Sequence, residues 1–363
     1  MIIQENHLNG KSKFQQQEQC FFNALRKKVN DYFQANQIKP TGNYKLYFKS
    51  TTLLASAVAL YLILVFFTPT AWVSILLSAL LGFNMAAIGF NIMHDGAHGS
   101  FSERKWVNEL MGYSLNMIGG SVYLWKFKHN FNHHSFTNID GMDDDIDIKP
   151  WIRVSSTQEK YWFHRFQYIY WVFLYGWTYL LWIYWQDFQK YFTGKVGETK
   201  FRKMDTKEHL IFWITKIGYV AVFVALPIYR LGIVDAMIGY FVIAFVCGFV
   251  SAVVFQLAHV VEHTTFPMPD EETSKINVEW AIHQIQTTAN FATRNKIVSW
   301  FTGGLNFQVE HHLFPKISHI HYPKINELVR ETCQQFGIEY LEYPSVLSAL
   351  RSHVMYLKQV GVA

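Results

Sequence analysis

The chain has 363 residues, of which 50% are hydrophobic and 16% are charged, and its formal net charge is +5. A soluble globular chain carries about 25% charged residues, so this composition indicates a membrane protein. Lysine and arginine are scattered along the chain, which argues against nucleic-acid binding. The three cysteines lie too far apart to predict a disulfide framework or a CxxC metal motif. The polar N-terminus has no apolar core and therefore predicts no signal peptide.

The first apolar element predicts a transmembrane hairpin over residues 50–93. The stretch from Ser50 to Met93 contains no Asp, Glu, Lys or Arg and is long enough for two spans of about 20 residues each. Pro69 marks the turn between them, because proline interrupts the helical hydrogen-bond ladder. By the positive-inside rule, the segment before the hairpin is cytoplasmic, since it carries Lys11, Lys13, Arg26, Lys27 and Lys28.

Two histidine clusters follow the first hairpin. HDGAH begins directly after it, and its His94 and His98 are four residues apart. HNFNHH repeats this spacing with His129 and His133, and residues at that spacing share one face of an α-helix. His134 is expected to point about 100° further round. Each pair suits one metal or two adjacent metals.

A third apolar stretch, residues 166–186, is also free of charged side chains but is rich in Trp and Tyr. So many amphipathic Trp and Tyr rings favour the headgroup zone of the membrane over the hydrocarbon centre. If the stretch crossed the membrane, the early and late histidine clusters would face opposite sides. We therefore expect an interfacial helix here, and a crossing helix is the alternative.

A second hairpin is predicted over residues 209–258, with its turn at Pro227 to Gly232. Its first arm is the weaker prediction because it contains Lys216, whose ammonium group can snorkel to water only if it lies near an interface. The hairpin ends in LAHVVEH, which contains His259 and His263.

The sequence thus predicts an all-α integral membrane protein with two transmembrane helical hairpins, four spans in total, and one interfacial helix. A cytoplasmic helical region that carries the histidine clusters is expected to cap the spans. The predicted regions are an N-terminal segment 1–49, the first hairpin 50–93, a cytoplasmic region 94–208, the second hairpin 209–258 and a cytoplasmic C-terminal region 259–363.

The last cluster, QVEHH, places His311 and His312 three and four residues after Gln308, so the three side chains share one helical face. A single histidine at the end of a span is usually an ordinary interfacial residue, but coincidence becomes improbable when several clusters share one predicted face. Seven or eight imidazoles exceed the four ligands of a zinc site and predict two metals. Imidazole suits iron, copper and zinc, so the metal has to be inferred from the reaction.

Carboxylates near these clusters are predicted to orient imidazole N–H groups and to offset the metal charge. They are Asp95, Asp140, Asp143, Asp144, Asp145, Asp147, Glu262 and Glu310. For the DDDID run at 143–147, a solvated acidic loop is an equally good interpretation.

With these clusters in place, the sequence resembles the membrane fatty-acid desaturases. The resemblance covers residues 45–340 and rests on three histidine boxes in order, HDGAH, HNFNHH and QVEHH, with two hydrophobic hairpins around them. The phrases HDGAHGSFSERKWVNELMG, HHSFTNIDGMDDDID, HQIQTTANFA and FQVEHHLFP resemble the front-end branch, which includes the linoleoyl-CoA desaturase-like proteins. Front-end desaturases typically begin the third box with Gln, as here, where most other membrane desaturases have His.

The resemblance implies a non-heme di-iron centre. Its implied ligands are His94, His98, His129, His133, His134, His259, His311 and His312. Gln308 is either a further ligand or a hydrogen-bonding neighbour of one, and Asp95, Glu262 and Glu310 are candidates for the same two roles. His263 lies outside the family pattern and is expected at the surface.

The resemblance also implies an O2-dependent oxidoreductase that inserts a cis double bond into a fatty acyl chain carried by coenzyme A or a phospholipid. Many front-end enzymes carry a fused cytochrome b5 domain with an HPGG heme motif. The segment before the first span contains no HPGG. We therefore expect electrons to come from a separate donor such as cytochrome b5 or a ferredoxin.

Further residues are candidates for substrate contacts. Aromatic residues that would suit an apolar cleft, although ordinary packing is the commoner role for any one of them, are Tyr123, Trp125, Trp280, Trp300 and Phe301. Basic residues that would suit an anionic headgroup or coenzyme A phosphates are Lys126, Lys128, Arg153 and Arg294. A generic basic membrane-facing surface explains these four equally well.

Two other functions fit parts of the pattern. A related membrane di-iron hydroxylase, acting on alkanes or sphingolipids, would yield a hydroxylated product. A non-catalytic metal- or heme-handling membrane protein such as a transporter usually has ionisable residues at mid-membrane. The histidines here follow the ends of spans, which argues against transport.

Overall fold

The computed structural model of the protein describes residues 13–14, 20–197, 199–201, 204–270, 272–273 and 275–363. Lys11 and most of the polar N-terminus lie outside the described residues. The expectation of no signal peptide falls largely on that part of the chain, and the expectation of no HPGG motif falls on it in part.

Most of the described chain is helical. In chain order the α-helices are α1 Cys20–Ala35, α2 Tyr44–Leu62, α3 Ala71–Ile88, α4 His94–His98, α5 Lys105–Gly112, α6 Ser114–Met117, α7 Val122–Lys126, α8 His134–Phe136, α9 Gln167–Leu181, α10 Asp187–Thr193, α11 Thr206–Val220, α12 Leu226–Leu231, α13 Ile233–His259, α14 Trp280–Gln286, α15 Lys296–Phe301, α16 Gln308–Leu313, α17 Tyr322–Phe336 and α18 Val346–Val362.

Short π-helical and 3₁₀ segments connect or extend several of these helices. The π-helical segments are Ile63–Phe67, Gly89–Met93, Phe127–His133, Trp182–Gln186 and Ala221–Ala225, and the 3₁₀ segments are Trp162–Phe166 and His319–His321. The strands are β1 Lys13–Phe14, β2 Lys195–Val196, β3 Thr199–Lys200, β4 Lys275–Ile276, β5 Asn290–Phe291 and β6 Glu342–Tyr343. They form three two-stranded pairs: β1 with β4 and β5 with β6 in parallel, and β2 with β3 antiparallel.

Four helices among the described residues are long and apolar enough to cross a membrane. We call them span 1, Tyr44–Phe67; span 2, Ala71–His98; span 3, Thr206–Leu231; and span 4, Ile233–His259. Thr68, with a φ of 43°, separates the first two, and Gly232, with a φ of 81°, separates the last two. The predictions of a mostly helical chain and of four apolar spans are confirmed.

Span 4 packs between α3 and α9. At its contact with α9 the two backbones approach so closely that a Cβ at Gly248 would lie 2.7 Å from the carbonyl oxygen of Gly176. Apolar side chains from these helices, among them Leu81, Tyr179 and Ile243, form one buried cluster. This packing fixes the end of span 4, where His259 lies.

A second apolar cluster joins the N-terminal helix to the region of the third histidine box. Phe21 and Leu25 of α1 belong to the same cluster as Val329 of α17 and Leu313 of α16. The pairing of β5 with β6 sets Asn290 opposite Glu342 beside this cluster. The histidine box is therefore held by segments that are far apart in the sequence.

Lys216 has partners for its ammonium group inside the protein and does not need to snorkel to water. Its side chain is buried, and its ammonium group lies 2.7 Å from Asp187 Oδ2, 2.6 Å from the Gly119 carbonyl oxygen and 2.8 Å from that of Ile183. A buried cation costs little when a carboxylate and carbonyl oxygens replace its water. This ion pair ties span 3 to α10.

Lys216→Met is expected to lower the free energy of unfolding by about 3–5 kcal/mol, because it leaves the Asp187 carboxylate buried without a cation. Adding Asp187→Leu should restore most of the loss, since no unpaired charge then remains. Thermal unfolding of the detergent-solubilised protein measures both effects, with Lys207→Met as an exposed control on the same helix. A single variant as stable as the parent would contradict the role of the pair.

Candidate metal centre

The first histidine box lies at the end of span 2. Its helix α4 packs so closely on α5 that a Cβ at Gly96 would lie 2.7 Å from the backbone nitrogen of Gly112. The rings of His94 and His98 have centroids 4.7 Å apart. Close backbone packing therefore fixes the helical turn that presents both imidazoles.

The second box departs from the expected α-helical geometry. Phe127–His133 is π-helical, and a π-helix has i→i+5 hydrogen bonds, which bring residues five apart near each other. As a result the Nε2 atoms of His129 and His134 are 3.2 Å apart. π-helical turns are rare and often occur at functional sites.

The imidazoles converge on two points. The donor atoms of His94, His98, His129 and His311 all lie within 4.8 Å of one another, and we call these residues the first imidazole group. The donor atoms of His133, His259 and His312 meet the same criterion and form the second imidazole group. His134 lies between the groups, with its ring centroid 4.6 Å from that of His311 and 4.5 Å from that of His312.

Gln308 faces the second imidazole group. Its amide nitrogen is 2.9 Å from Nε2 of His259 and 3.4 Å from Nε2 of His312. Its Oε1 atom is buried and has no hydrogen-bond partner. An amide oxygen and nitrogen exchange places when the side chain flips, so either atom is able to face this group.

The convergent nitrogens fit a bound cation. The Nε2 atoms of His98, His133 and His311 are buried without a hydrogen-bond partner. His94 Nε2 and His129 Nε2 are 3.3 Å apart, and two nitrogens that each lie about 2.0 Å from one metal ion at a near-tetrahedral angle would be about 3.3 Å apart.

Four of the imidazoles favour the neutral protonation state that metals require. Burial, reinforced by neighbouring imidazoles, lowers the pKa of His134, His311 and His312 well below the usual value. Burial also lowers the pKa of His129 to about 4. A neutral imidazole offers a lone pair to a metal, whereas imidazolium does not.

The opposite ring nitrogens have partners that fix the rings. Nδ1 of His133 is 3.0 Å from Asp143 Oδ2, Nδ1 of His312 is 2.7 Å from Gln284 Oε1, and Nδ1 of His311 is 3.1 Å from the Tyr322 hydroxyl. Such contacts orient a ring and leave its Nε2 free to bind a metal.

Most of the DDDID run is not a solvated loop. Asp143 is fully buried, Asp145 forms a 2.6 Å ion pair with Lys128, and Asp144 lies 2.8 Å from Nζ of Lys190. Asp145 Oδ2 is also 3.6 Å from His129 Nδ1 and 3.7 Å from His133 Nδ1. Burial alone would raise the pKa of Asp145, but Lys128, His129 and His133 together outweigh it and hold the pKa well below the usual value.

Asp140 and Asp147 lie apart from the imidazoles. Both contact Lys149, at 2.9 Å and 3.8 Å. Neither therefore serves as the imidazole partner that the sequence suggested.

Asp95, Glu262 and Glu310 also make other contacts than those expected. Asp95 Oδ2 accepts hydrogen bonds from Ser318 and contacts His319 Nδ1 at 3.0 Å.

Glu262 is partly exposed and accepts a 2.8 Å hydrogen bond from Gln359. Glu310 accepts hydrogen bonds from Asn290 at 2.7 Å and Tyr340 at 2.9 Å, and burial raises its pKa to about 7. Glu310 follows Gln308 by two residues, which places it on the opposite face of α16 from the imidazole groups.

Two of the five aromatic candidates contact histidines of the site, and the other three pack elsewhere or are exposed. The Trp125 ring stacks on His129 with centroids 4.3 Å apart, and Trp280 Nε1 donates to the carbonyl oxygen of His134 at 3.2 Å. Tyr123 packs near Phe201, Phe301 stacks on Phe83, and Trp300 is 46% exposed.

The basic candidates mostly do not face open solvent. Lys128 is committed to Asp145, and Arg153 is buried, with its guanidinium donating to the carbonyl oxygens of Gln158, Ser156 and Val360. Of the four, Arg294 is exposed and Lys126 is half-buried. His263 is exposed, as expected.

Sequence reasoning missed the partners Gln284, Thr287 and Tyr322. The phrase HQIQTTANFA was noted only for its family resemblance, yet it supplies Gln284 for His312 and the Thr287 carbonyl, 3.3 Å from His259 Nδ1. No spacing rule connects these positions to the boxes, because the contacts span 28 residues in each case.

Comparison with known proteins agrees with this geometry. The model of a family described as fatty acid desaturase matches residues 69–344. The chain is 38% identical to an acyl-lipid (8-3)-desaturase of Physcomitrium patens, over 94% of this chain and 72% of that protein. It is 38% identical to an sn-1 linoleoyl-lipid 6-desaturase of Arthrospira platensis, over 94% and 93% of the two chains. It is 35% identical to the protein of the same name from a Synechocystis species, over 96% and 97%.

Proposed function

The chain belongs to the fatty acid desaturase family, and we propose that it is a front-end acyl-lipid desaturase. It would insert a cis double bond between the carboxyl end of an acyl chain and an existing double bond. The observation that carries the proposal is the pair of imidazole groups, buried and with unpartnered nitrogens, next to the ends of spans 2 and 4. The relatives named as acyl-lipid and linoleoyl-lipid desaturases favour a lipid-bound acyl chain over acyl-coenzyme A.

Two iron ions are the proposed cofactors, one at each imidazole group. His94, His98, His129 and His311 would hold the first ion, with His134 beside them, and His133, His259 and His312 would hold the second. The short distance between the Nε2 atoms of His129 and His134 supports adding His134 to the first set.

Gln308 is proposed as the fourth donor of the second group. That group has three imidazoles against four in the first. The Gln308 amide lies against two of them, and its oxygen has no other partner. An amide oxygen is a neutral donor, so it would complete the set without adding charge.

When bound, the irons would supply the oxidising power for a reaction in which O2, two external electrons, two protons and two hydrogens from unactivated C–H bonds give a double bond and two waters. The chain itself supplies position and exclusion of water. His133, His311 and His312 are fully buried, and Asp143, Tyr322 and Gln284 hold their rings in place. The electrons would come from a separate donor protein such as cytochrome b5 or a ferredoxin.

The imidazole groups are proposed to lie on the cytoplasmic side, with α9 in the interface. Helix α9 continues through a π-helical turn into α10, and both ends of this helix contact segments outside the spans, on the side where the imidazole groups lie. Gln167 donates to the carbonyl oxygen of Leu357 at 2.8 Å, and Lys190 pairs with Asp144 at 2.8 Å. Exposed apolar side chains on this helix, such as Phe173 and Trp185, would face lipid.

Metal analysis tests the assignment of ligands. The parent protein is expected to contain two irons per chain, and His98→Ala and His133→Ala should each leave about one, because each removes a donor from a different group. Gln308→Ala should weaken the second site more than Val309→Ala does. The matched control is His263→Ala, which changes an exposed histidine and should keep both irons. Equal iron content in all these variants would contradict the assignment.

Expression in a host that lacks polyunsaturated lipids tests the reaction. With linoleate supplied, the expected product is a triene whose new double bond lies nearer the carboxyl end, located by mass spectrometry. His312→Ala should abolish the product while the protein still inserts in the membrane. A hydroxylated acyl chain in place of the triene would instead identify a hydroxylase.

Cysteine labelling tests the orientation. In a Cys20→Ser background, Glu159→Cys and Lys195→Cys flank the α9–α10 helix, and Thr70→Cys lies in the turn between spans 1 and 2; all three positions are exposed. A membrane-impermeant maleimide is expected to label the first two from the cytoplasmic side and the third from the opposite side. Labelling of positions 159 and 195 from opposite sides would show that the helix crosses the membrane.

A further inference from the structure

Asn138 lies in an unusual backbone conformation directly after the second histidine box. Its φ is 58°, in the left-handed region, and its side chain is fully buried. Asparagine adopts this conformation more readily than most residues with a side chain. A fully buried side chain on a residue with left-handed backbone raises the question of which contacts that side chain makes.

The Asn138 amide joins three separate segments. Nδ2 lies 3.0 Å from the carbonyl oxygen of His259, 3.1 Å from that of Thr265 and 3.2 Å from that of Thr287. Because all three neighbours are acceptors, only the nitrogen end of the amide suits this position. The two N–H bonds are therefore shared among the end of span 4, the loop after it and the segment after α14.

The same residue supports two imidazoles of the second group. Its backbone N–H donates to Asp143 Oδ2 at 2.9 Å, and that oxygen is 3.0 Å from Nδ1 of His133. The Thr287 carbonyl oxygen that Nδ2 contacts is 3.3 Å from Nδ1 of His259. One asparagine thus holds a partner of His133 and a partner of His259.

We propose that Asn138 is a positioning residue for the second metal site, acting through Asp143 on His133 and through the Thr287 carbonyl on His259. This inference rests on the proposed function, since it assumes that the second imidazole group binds a metal. The first group has partners of its own, because Tyr322 orients His311 and Asp145 lies beside His129; its one link to Asn138 is indirect, through the Asp145 N–H that donates to Asp143 Oδ1 at 3.0 Å. Loss of the amide should therefore affect the two sites unequally.

Co²⁺ titration of the metal-free full-length protein tests this inequality. The parent chain is expected to bind two Co²⁺ ions, followed by visible absorption and counted by metal analysis. Asn138→Gly keeps the left-handed backbone, and with it the N–H that donates to Asp143, but removes the side-chain donors to the carbonyl oxygens of His259, Thr265 and Thr287. It should weaken the second ion about 10- to 100-fold and leave the first unchanged, as is typical when a residue that orients a ligand is lost.

Asn138→Asp provides a second variant of nearly the same shape. Its carboxylate would face three carbonyl oxygens, so the second ion should be weakened at least as much. Gln37→Gly is the matched control, because Gln37 is exposed and also has a left-handed φ, of 52°. It should bind both ions as the parent does.

The outcomes separate the inference from the function on which it rests. If the parent binds two ions and both Asn138 variants bind two with unchanged affinity, the role of Asn138 is wrong and the metal sites stand. Equal weakening of both ions, with a lower melting temperature of the metal-free variants, would show a general structural role and would also overturn the inference. A parent chain that binds no Co²⁺ would overturn the proposed metal centre itself.

Discussion

The arrangement of this protein depends on keeping a set of imidazoles buried, neutral and turned toward one another. A buried polar atom without a hydrogen-bond partner costs about 1–3 kcal/mol. Such atoms are found on His98, His133 and His311 among the described residues. These unpartnered nitrogens belong to rings that converge within the two imidazole groups. The fold therefore holds the rings where a bound ligand, rather than another protein group, would satisfy the nitrogens. A cation shared by several rings is the ligand that suits lone pairs directed at one point.

The spans alone would not meet this constraint. Spans 2 and 4 bring His94, His98 and His259 to the edge of the apolar region, but the remaining imidazoles come from segments between and after the spans. Ring orientation then depends on partners from further segments, such as Gln284 on α14 and Tyr322 on α17. The short helices that carry these residues and their partners are therefore part of the site. How they pack against α1 and span 4 affects the orientation of the rings.

The sequence predicted the parts of this arrangement that follow local rules. Long apolar runs predicted the four spans, and the spacing of His94 and His98 predicted that these two imidazoles meet in one group. The same spacing did not predict the second box, where His129 and His133 belong to different groups. Glu310 is a candidate partner of the imidazoles by its nearness in the sequence, but its position two residues after Gln308 places it on the other side of α16. The burial of Asp143, the pairing of Lys216 with Asp187 and the π-helical turn at Phe127–His133 depend on contacts distant in the chain. Spacing in the sequence contains no information about such contacts.

The two imidazole groups differ in a way that their surroundings partly offset. The second group has one imidazole fewer, and a neutral amide oxygen donates less strongly than an imidazole. Its His133, however, has Asp143 at 3.0 Å and Asp145 at 3.7 Å, and these carboxylates outweigh burial and raise the pKa of that ring. A carboxylate on Nδ1 makes the opposite nitrogen a stronger donor. If Gln308 is the fourth donor, the acidic run after the second box would offset its weaker donation, and the half-buried Lys128 and buried Lys190 keep the remaining charge of this run paired.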